Sequence, residues 1–118
     1  MAKLYFNYGA MASGKTIEVI ETVYKYNSKN MHAVLAKPRI DTRGNDKVVS
    51  RIGMERETDF TIGKNETFIE HLKKYEDITC LIVDEAQFLT RIQVLELFYL
   101  VKRLNLPVIC YGLKVDFR

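Results

Sequence analysis

The sequence is sparing with cysteine, and its two thiols are not arranged for metal binding. Cys80 and Cys110 stand in separate apolar runs, Cys-Leu-Ile-Val and Val-Ile-Cys-Tyr, and no Cys-x-x-Cys pair occurs. That spacing excludes a zinc site built from these residues and makes both cysteines buried strand positions. Long apolar runs are also absent: none approaches the roughly 18–20 residues that a membrane-spanning helix needs. The opening Met-Ala-Lys-Leu-Tyr-Phe-Asn-Tyr has no extended apolar stretch of the signal-peptide kind. The expectation is a cytoplasmic protein with no membrane partner. Charge of one sign is scarce too. The net charge is +3, and Lys and Arg are spread along the chain rather than gathered into a stripe. Nucleic acid is therefore not an expected partner, while a slight positive balance suits a phosphate-bearing ligand. Internal repeats and low-complexity tracts are missing.

What is present fits one ordinary globular domain over residues 1–118, with 47 % apolar residues. Four short strands are expected at 4–8, 33–37, 80–83 and 108–111. The last three are continuous apolar runs, as in parallel strands buried on both faces. Helical periodicity lies between them. Ile17, Ile20, Val23, Tyr24 and Asn27 mark one face of a first helix, with Glu18, Glu21 and Lys25 opposite. A second helix is expected after an Asn65 cap, with Phe68, Ile69, Leu72 and Tyr75 inward. A third begins at Thr90, where Gln93 completes a capping box and Leu89 and Val94 fit a hydrophobic staple. Its apolar set (Val94, Leu95, Leu97, Phe98, Leu100, Val101 and Leu104) is too wide for one sheet face. Either a second subunit covers the excess or the helix is buried within one domain. Residues 42–64 are polar and read as a long connection with one or two short strands. Strands alternating with helices predict an α/β fold.

The strongest chemical signal is Gly9-Ala10-Met11-Ala12-Ser13-Gly14-Lys15-Thr16, a complete phosphate-loop pattern between an apolar strand and an amphipathic helix. Gly9 and Gly14 allow turns that a Cβ would obstruct. Successive N–H groups and the helix N-terminus then face phosphate oxygens. Lys15 can reach the β- and γ-phosphates of ATP, and Thr16 can ligate Mg²⁺. The glycine spacing does not fit a dinucleotide fingerprint. The second signal is Cys80-Leu-Ile-Val-Asp84-Glu85, an apolar strand that ends in acids. Asp84 is the expected Mg²⁺ partner. Glu85 is the expected general base or water-orienting group. Asp41 and Arg43 follow the second strand, at the sheet edge where ligands bind. His32 and His71 have no partner pattern and read as structural or surface residues.

Together these motifs resemble the thymidine kinases of the type found in many bacteria and in animal cytosol. The resemblance rests on residues 9–16, on Lys37-Pro-Arg-Ile-Asp-Thr-Arg43, on Val83-Asp-Glu-Ala-Gln-Phe88 and on Tyr111-Gly-Leu-Lys-Val-Asp-Phe117, in that order. It implies a RecA-like P-loop core and transfer of the ATP γ-phosphate to the 5′-hydroxyl of thymidine. It implies Glu85 as catalytic base, and Lys15, Thr16 and Asp84 as phosphate and Mg²⁺ groups. Asp41 becomes a further Mg²⁺-linked carboxylate, Arg43 a phosphate-side arginine and Gln87 a polar group beside the nucleotide. Met11, Phe88, Leu113 and Phe117 would line the nucleoside pocket. A homotetramer is also implied, in keeping with the wide apolar helix. Family members extend past the position of Arg118 into a zinc-binding subdomain and a lasso-like loop over the base. The expectation is a shortened form with the phosphate half of its site complete. Ala10 and Ala12 stand where many relatives carry bulkier residues, but neither is a phosphate-binding group. Two other readings remain: a P-loop ATPase coupled to a macromolecular partner, and a non-catalytic nucleotide-binding fragment.

Overall fold

The computed structural model describes residues 2–8, 13–39, 47–49 and 55–112, with the backbone alone at residues 8, 13–17, 47–49, 55 and 56. Five parallel strands form the main sheet. They are β1 (Leu4–Tyr8), β2 (Ala33–Pro38), β5 (Phe60–Ile62), β6 (Cys80–Val83) and β7 (Val108–Gly112), in the order β1-β7-β6-β2-β5. The four expected strands are all present, two of them one residue longer than expected. A separate antiparallel pair joins β3 (Lys47–Val49) to β4 (Glu55–Glu57).

The sheet is the middle of three layers, because alternate residues of each buried strand face opposite sides. On one side Ala33, Leu35, Cys80 and Ile82 meet Val19, Ile20 and Val23 of helix α1 (Ser13–Asn27). On the other side Val34, Ala36, Leu81, Val83, Val108 and Cys110 meet Phe68 of α2 (Phe68–Leu72) and Leu97, Leu100 and Val101 of α3 (Arg91–Arg103). Continuous apolar runs were required at residues 33–36 of β2 and along β6 because both of their faces are covered.

Three expectations are corrected. Tyr24 is 69 % exposed. At 3.6 residues per turn it points roughly 100° away from the centre of the face set by Val19, Ile20 and Val23. The cap of α2 is Thr67, whose hydroxyl accepts the Glu70 N–H at 3.3 Å, rather than Asn65. The helix also stops at Leu72, so Tyr75 reaches the core cluster from outside it. Finally, the 42–64 stretch holds three short strands where one or two were expected, and the last of them, β5, joins the main sheet. β5 pairs with β2 in parallel, Ala36 opposite Phe60. Asp59 fixes its entry: its carboxylate accepts the Leu35 N–H at 2.8 Å and its own N–H donates to Leu35 O at 2.7 Å.

The Thr90–Gln93 capping box is present in full. Gln93 also donates from Nε2 to the carbonyls of Gly63 and Glu66 at 2.8 and 3.1 Å. One buried side chain thus starts α3 and ties it to the turn between β5 and α2. Leu89 and Val94, the expected staple, pack into the same core cluster. Leu97, Leu100 and Val101 account for the buried stripe of α3, whereas Leu95, Phe98 and Leu104 are exposed.

Candidate active site

The site is assembled at the C-terminal ends of the central strands. β1 ends at Tyr8, which lies opposite Gly112 at the end of β7. β7 in turn pairs with β6, Cys110 opposite Val83. Asp84 therefore follows β6 two strands away from the point where residues 9–12 leave β1. α1 begins at Ser13, so Ser13, Gly14, Lys15 and Thr16 form its first turn. The Thr22 hydroxyl is 2.9 Å from the Tyr111 hydroxyl and links α1 to β7. Gly9, Ala10, Met11, Ala12, Asp41, Arg43, Leu113 and Phe117 lie outside the described residues.

The acidic pair occupies a sharp turn. Asp84 is 5 % exposed, and its N–H extends the sheet ladder by donating to Ala36 O at 2.9 Å. Glu85 then takes a left-handed backbone conformation, φ 53° and ψ 40°. For a residue with a Cβ this stores about 1–3 kcal/mol, which the surrounding structure must hold in place. The reversal lets a 3₁₀ turn, Ala86–Phe88, start at once. Ala86 is buried at the root of that turn and Phe88 is left 46 % exposed. The Gln87 side chain folds back, its Nε2 donating to Glu85 Oε1 at 3.2 Å. Of the residues that sequence reasoning selected, Asp84, Glu85, Gln87 and Phe88 are thus gathered on one turn.

This arrangement supplies one buried carboxylate, one partly exposed carboxylate held by an amide, and an apolar ring open to solvent. A buried carboxylate oxygen fits a hard cation such as Mg²⁺, which keeps several waters and takes few protein ligands. Among the described residues no three His, Cys, Asp or Glu side chains converge as a metal cage. Cys80 and Cys110 lie in the core clusters on opposite faces of the sheet, so the two thiols do not share a site. No helix among the described residues is long and apolar enough to cross a membrane.

Two polar clusters that carry structural weight escaped the sequence reading. Glu66 accepts the Gly63 N–H at 2.9 Å, His71 Nε2 lies 2.7 Å away, and Arg39 Nη1 lies 3.2 Å away. The His71 ring also stacks on Phe60, with centroids 4.5 Å apart. Glu96 of α3 accepts the N–H groups of Phe68 and Ile69 at 2.7 and 2.9 Å. Gly112 was part of a quoted motif but had no role. The only signal for one was a glycine closing a buried strand beside the acidic turn.

A parallel sheet with an acidic turn after β6 and a Ser-Gly-Lys-Thr helix start after β1 defines the class of P-loop α/β domains. Within that class, the thymidine kinase family model matches residues 2–118. Thymidine kinases from Mannheimia succiniciproducens, Haemophilus influenzae (strain Rd) and Shigella dysenteriae are similar to the chain. They are 40 %, 43 % and 43 % identical to it, over the whole of this chain and over 62 %, 63 % and 59 % of their own lengths. The chain belongs to the thymidine kinase family. It spans about three-fifths of the length of these relatives, 62 % of the Mannheimia protein.

Proposed function

We propose that residues 1–118 form one nucleotide-binding unit of a thymidine kinase, an enzyme that transfers the γ-phosphate of ATP to the 5′-hydroxyl of thymidine. The observation that carries this reading is the turn at Asp84–Phe88, which sets Glu85 beside a buried carboxylate and an exposed ring at the sheet edge where parallel α/β proteins bind ligands. Family membership supports the same substrates.

Phosphoryl transfer depends on positioning and on neutralising charge more than on covalent chemistry. Backbone N–H groups of residues 9–14 and the start of α1 would bind the triphosphate, with Gly9, Ala10, Met11, Ala12, Ser13 and Gly14 forming the loop. Lys15 would place a cation at the β- and γ-phosphates, and Arg43 a second. Mg²⁺, when bound, would neutralise charge on the transferring group; Asp84, Thr16 and Asp41 are the residues that would hold it. Glu85 would accept the proton of the attacking hydroxyl. Gln87 restrains that carboxylate through its amide. Phe88, with Met11, Leu113 and Phe117, would form the apolar slot for the base.

Self-association into a homotetramer is part of the proposal. It is supported by the exposed apolar residues Ile92, Leu95, Phe98 and Tyr99 along α3. A cytoplasmic location accompanies the reading.

The test is transfer of labelled γ-phosphate from Mg-ATP to a panel of deoxynucleosides. Thymidine is expected to be labelled, at a rate unaffected by added DNA. ATP turnover that rises with DNA and ignores nucleosides would replace this reading with an ATPase coupled to a macromolecule.

A further inference from the structure

The turn that carries Glu85 is packed against the last residue of β7 with no room to spare. The Gln87 amide spans the gap. Its nitrogen donates to Glu85 Oε1 at 3.2 Å. Its oxygen lies where a Cβ on residue 112 would stand, and such a carbon would also lie only 3.2 Å from the backbone nitrogens of Ala86 and Gln87. Glycine is the one residue that leaves this space open. Position 112 cannot recede, because its strand is held on both sides: Gly112 is in register with Tyr8 of β1, and Cys110 with Val83 of β6. Nor can the turn move freely outward. Asp84 is tied to β2 through Ala36 O, and Ala86 is buried in the core cluster.

The geometry points to Gly112 as a positioning residue for the general base, an inference that rests on the role of Glu85 proposed above. Bare backbone at 112 seats the Gln87 amide oxygen. That sets the direction of the amide nitrogen, and the nitrogen sets the Glu85 carboxylate. Gly112 touches neither nucleotide nor nucleoside in this scheme. It acts through Gln87, so its removal affects the chemical step rather than the binding of ATP.

The experiment compares Gly112→Ala, Gln87→Ala and the double variant in the 118-residue chain. Each single variant is expected to lower kcat for thymidine phosphorylation roughly 10–100-fold, the scale of loss for a misplaced reacting group, with KM for Mg-ATP within about twofold. Because both substitutions break one chain of contacts, the double variant is expected to be no slower than the slower single. Losses that multiply would overturn the proposal, as would a KM change with kcat intact. Gln87→Ala leaves residue 112 bare, so it carries the kcat and KM test even if Gly112→Ala does not fold. A second readout needs no turnover: the side-chain amide resonances of Gln87 in ¹⁵N–¹H spectra. Glu85→Gln and Gly112→Ala are both expected to displace them. Resonances unmoved by Gly112→Ala in a folded chain would overturn the proposal. If the 118-residue wild type phosphorylates no nucleoside, displacement of the Gln87 resonances by Gly112→Ala still supports the contact, and unmoved resonances still overturn it.

Discussion

Glu96, in the middle of α3, accepts the backbone N–H of Phe68, the first residue of α2, at 2.7 Å. Its second oxygen takes the Ile69 N–H at 2.9 Å. A helix of five residues has little stability of its own. α2 is held by this carboxylate, by the Thr67 cap and by the fully buried Phe68 ring. Glu96→Gln keeps one acceptor but turns an NH₂ towards the other N–H. Losing hydrogen bonds to a charged group in this way is expected to cost about 1–3 kcal/mol, read from the urea midpoint. A change within about 0.5 kcal/mol, the range of an ordinary surface substitution, would contradict the bidentate cap.

The carboxylate of Glu66 gives the fold an acid-sensitive contact. The Gly63 N–H first, then His71 and Arg39, hold it well below its ordinary value of 4.5, at about 2. A depressed carboxylate stabilises the fold fully above its unfolded-state pKa, and that contribution is lost as protons bind. The window therefore opens near 4.5 and closes near 2. The side chain is 40 % exposed, so solvent screening keeps the effect small. Glu66→Gln is expected to flatten the dependence of stability on pH within this window and to leave it unchanged above. Parallel curves for wild type and Glu66→Gln would show that the cluster is not linked to folding.

Neither cysteine is expected to behave as a reactive thiol. Both are buried, and burial raises their pKa values to about 11 for Cys80 and about 12 for Cys110. A disulfide reagent at mildly alkaline pH should label the folded chain only at the rate of unfolding, and both thiols at once in urea. Rapid labelling of one thiol in the native state would place that cysteine outside the core.

Strand positions and the acidic turn were legible because their physical causes are local. A strand buried on both faces must be continuously apolar, as β6, β7 and residues 33–36 of β2 are. The capping box at Thr90 is a four-residue device and was readable as such. β5 was not, since three residues, Phe60–Ile62, carry too little pattern, and what recruits them is a long-range pair between Asp59 and Leu35. The same holds for Glu96 and Glu66, whose partners lie up to 28 residues away in sequence. Within the site, Asp84 and Glu85 were visible as acids after a strand. The left-handed kink at Glu85 and the bare backbone at Gly112 were not, because each is defined only when β6 and β7 lie side by side.

The central claim is that Glu85 accepts a proton in the chemical step and does not merely help to bind nucleotide. Its most direct test compares wild type with Glu85→Gln, following thymidine phosphorylation and Mg-ATP binding on the same preparations. The substitution preserves shape and removes the basic oxygen. Turnover is expected to fall about 10²–10⁴-fold, the usual cost of losing a general base, with the Kd for Mg-ATP within about twofold. Unchanged turnover, or a loss of binding that matches the loss of rate, would contradict the account.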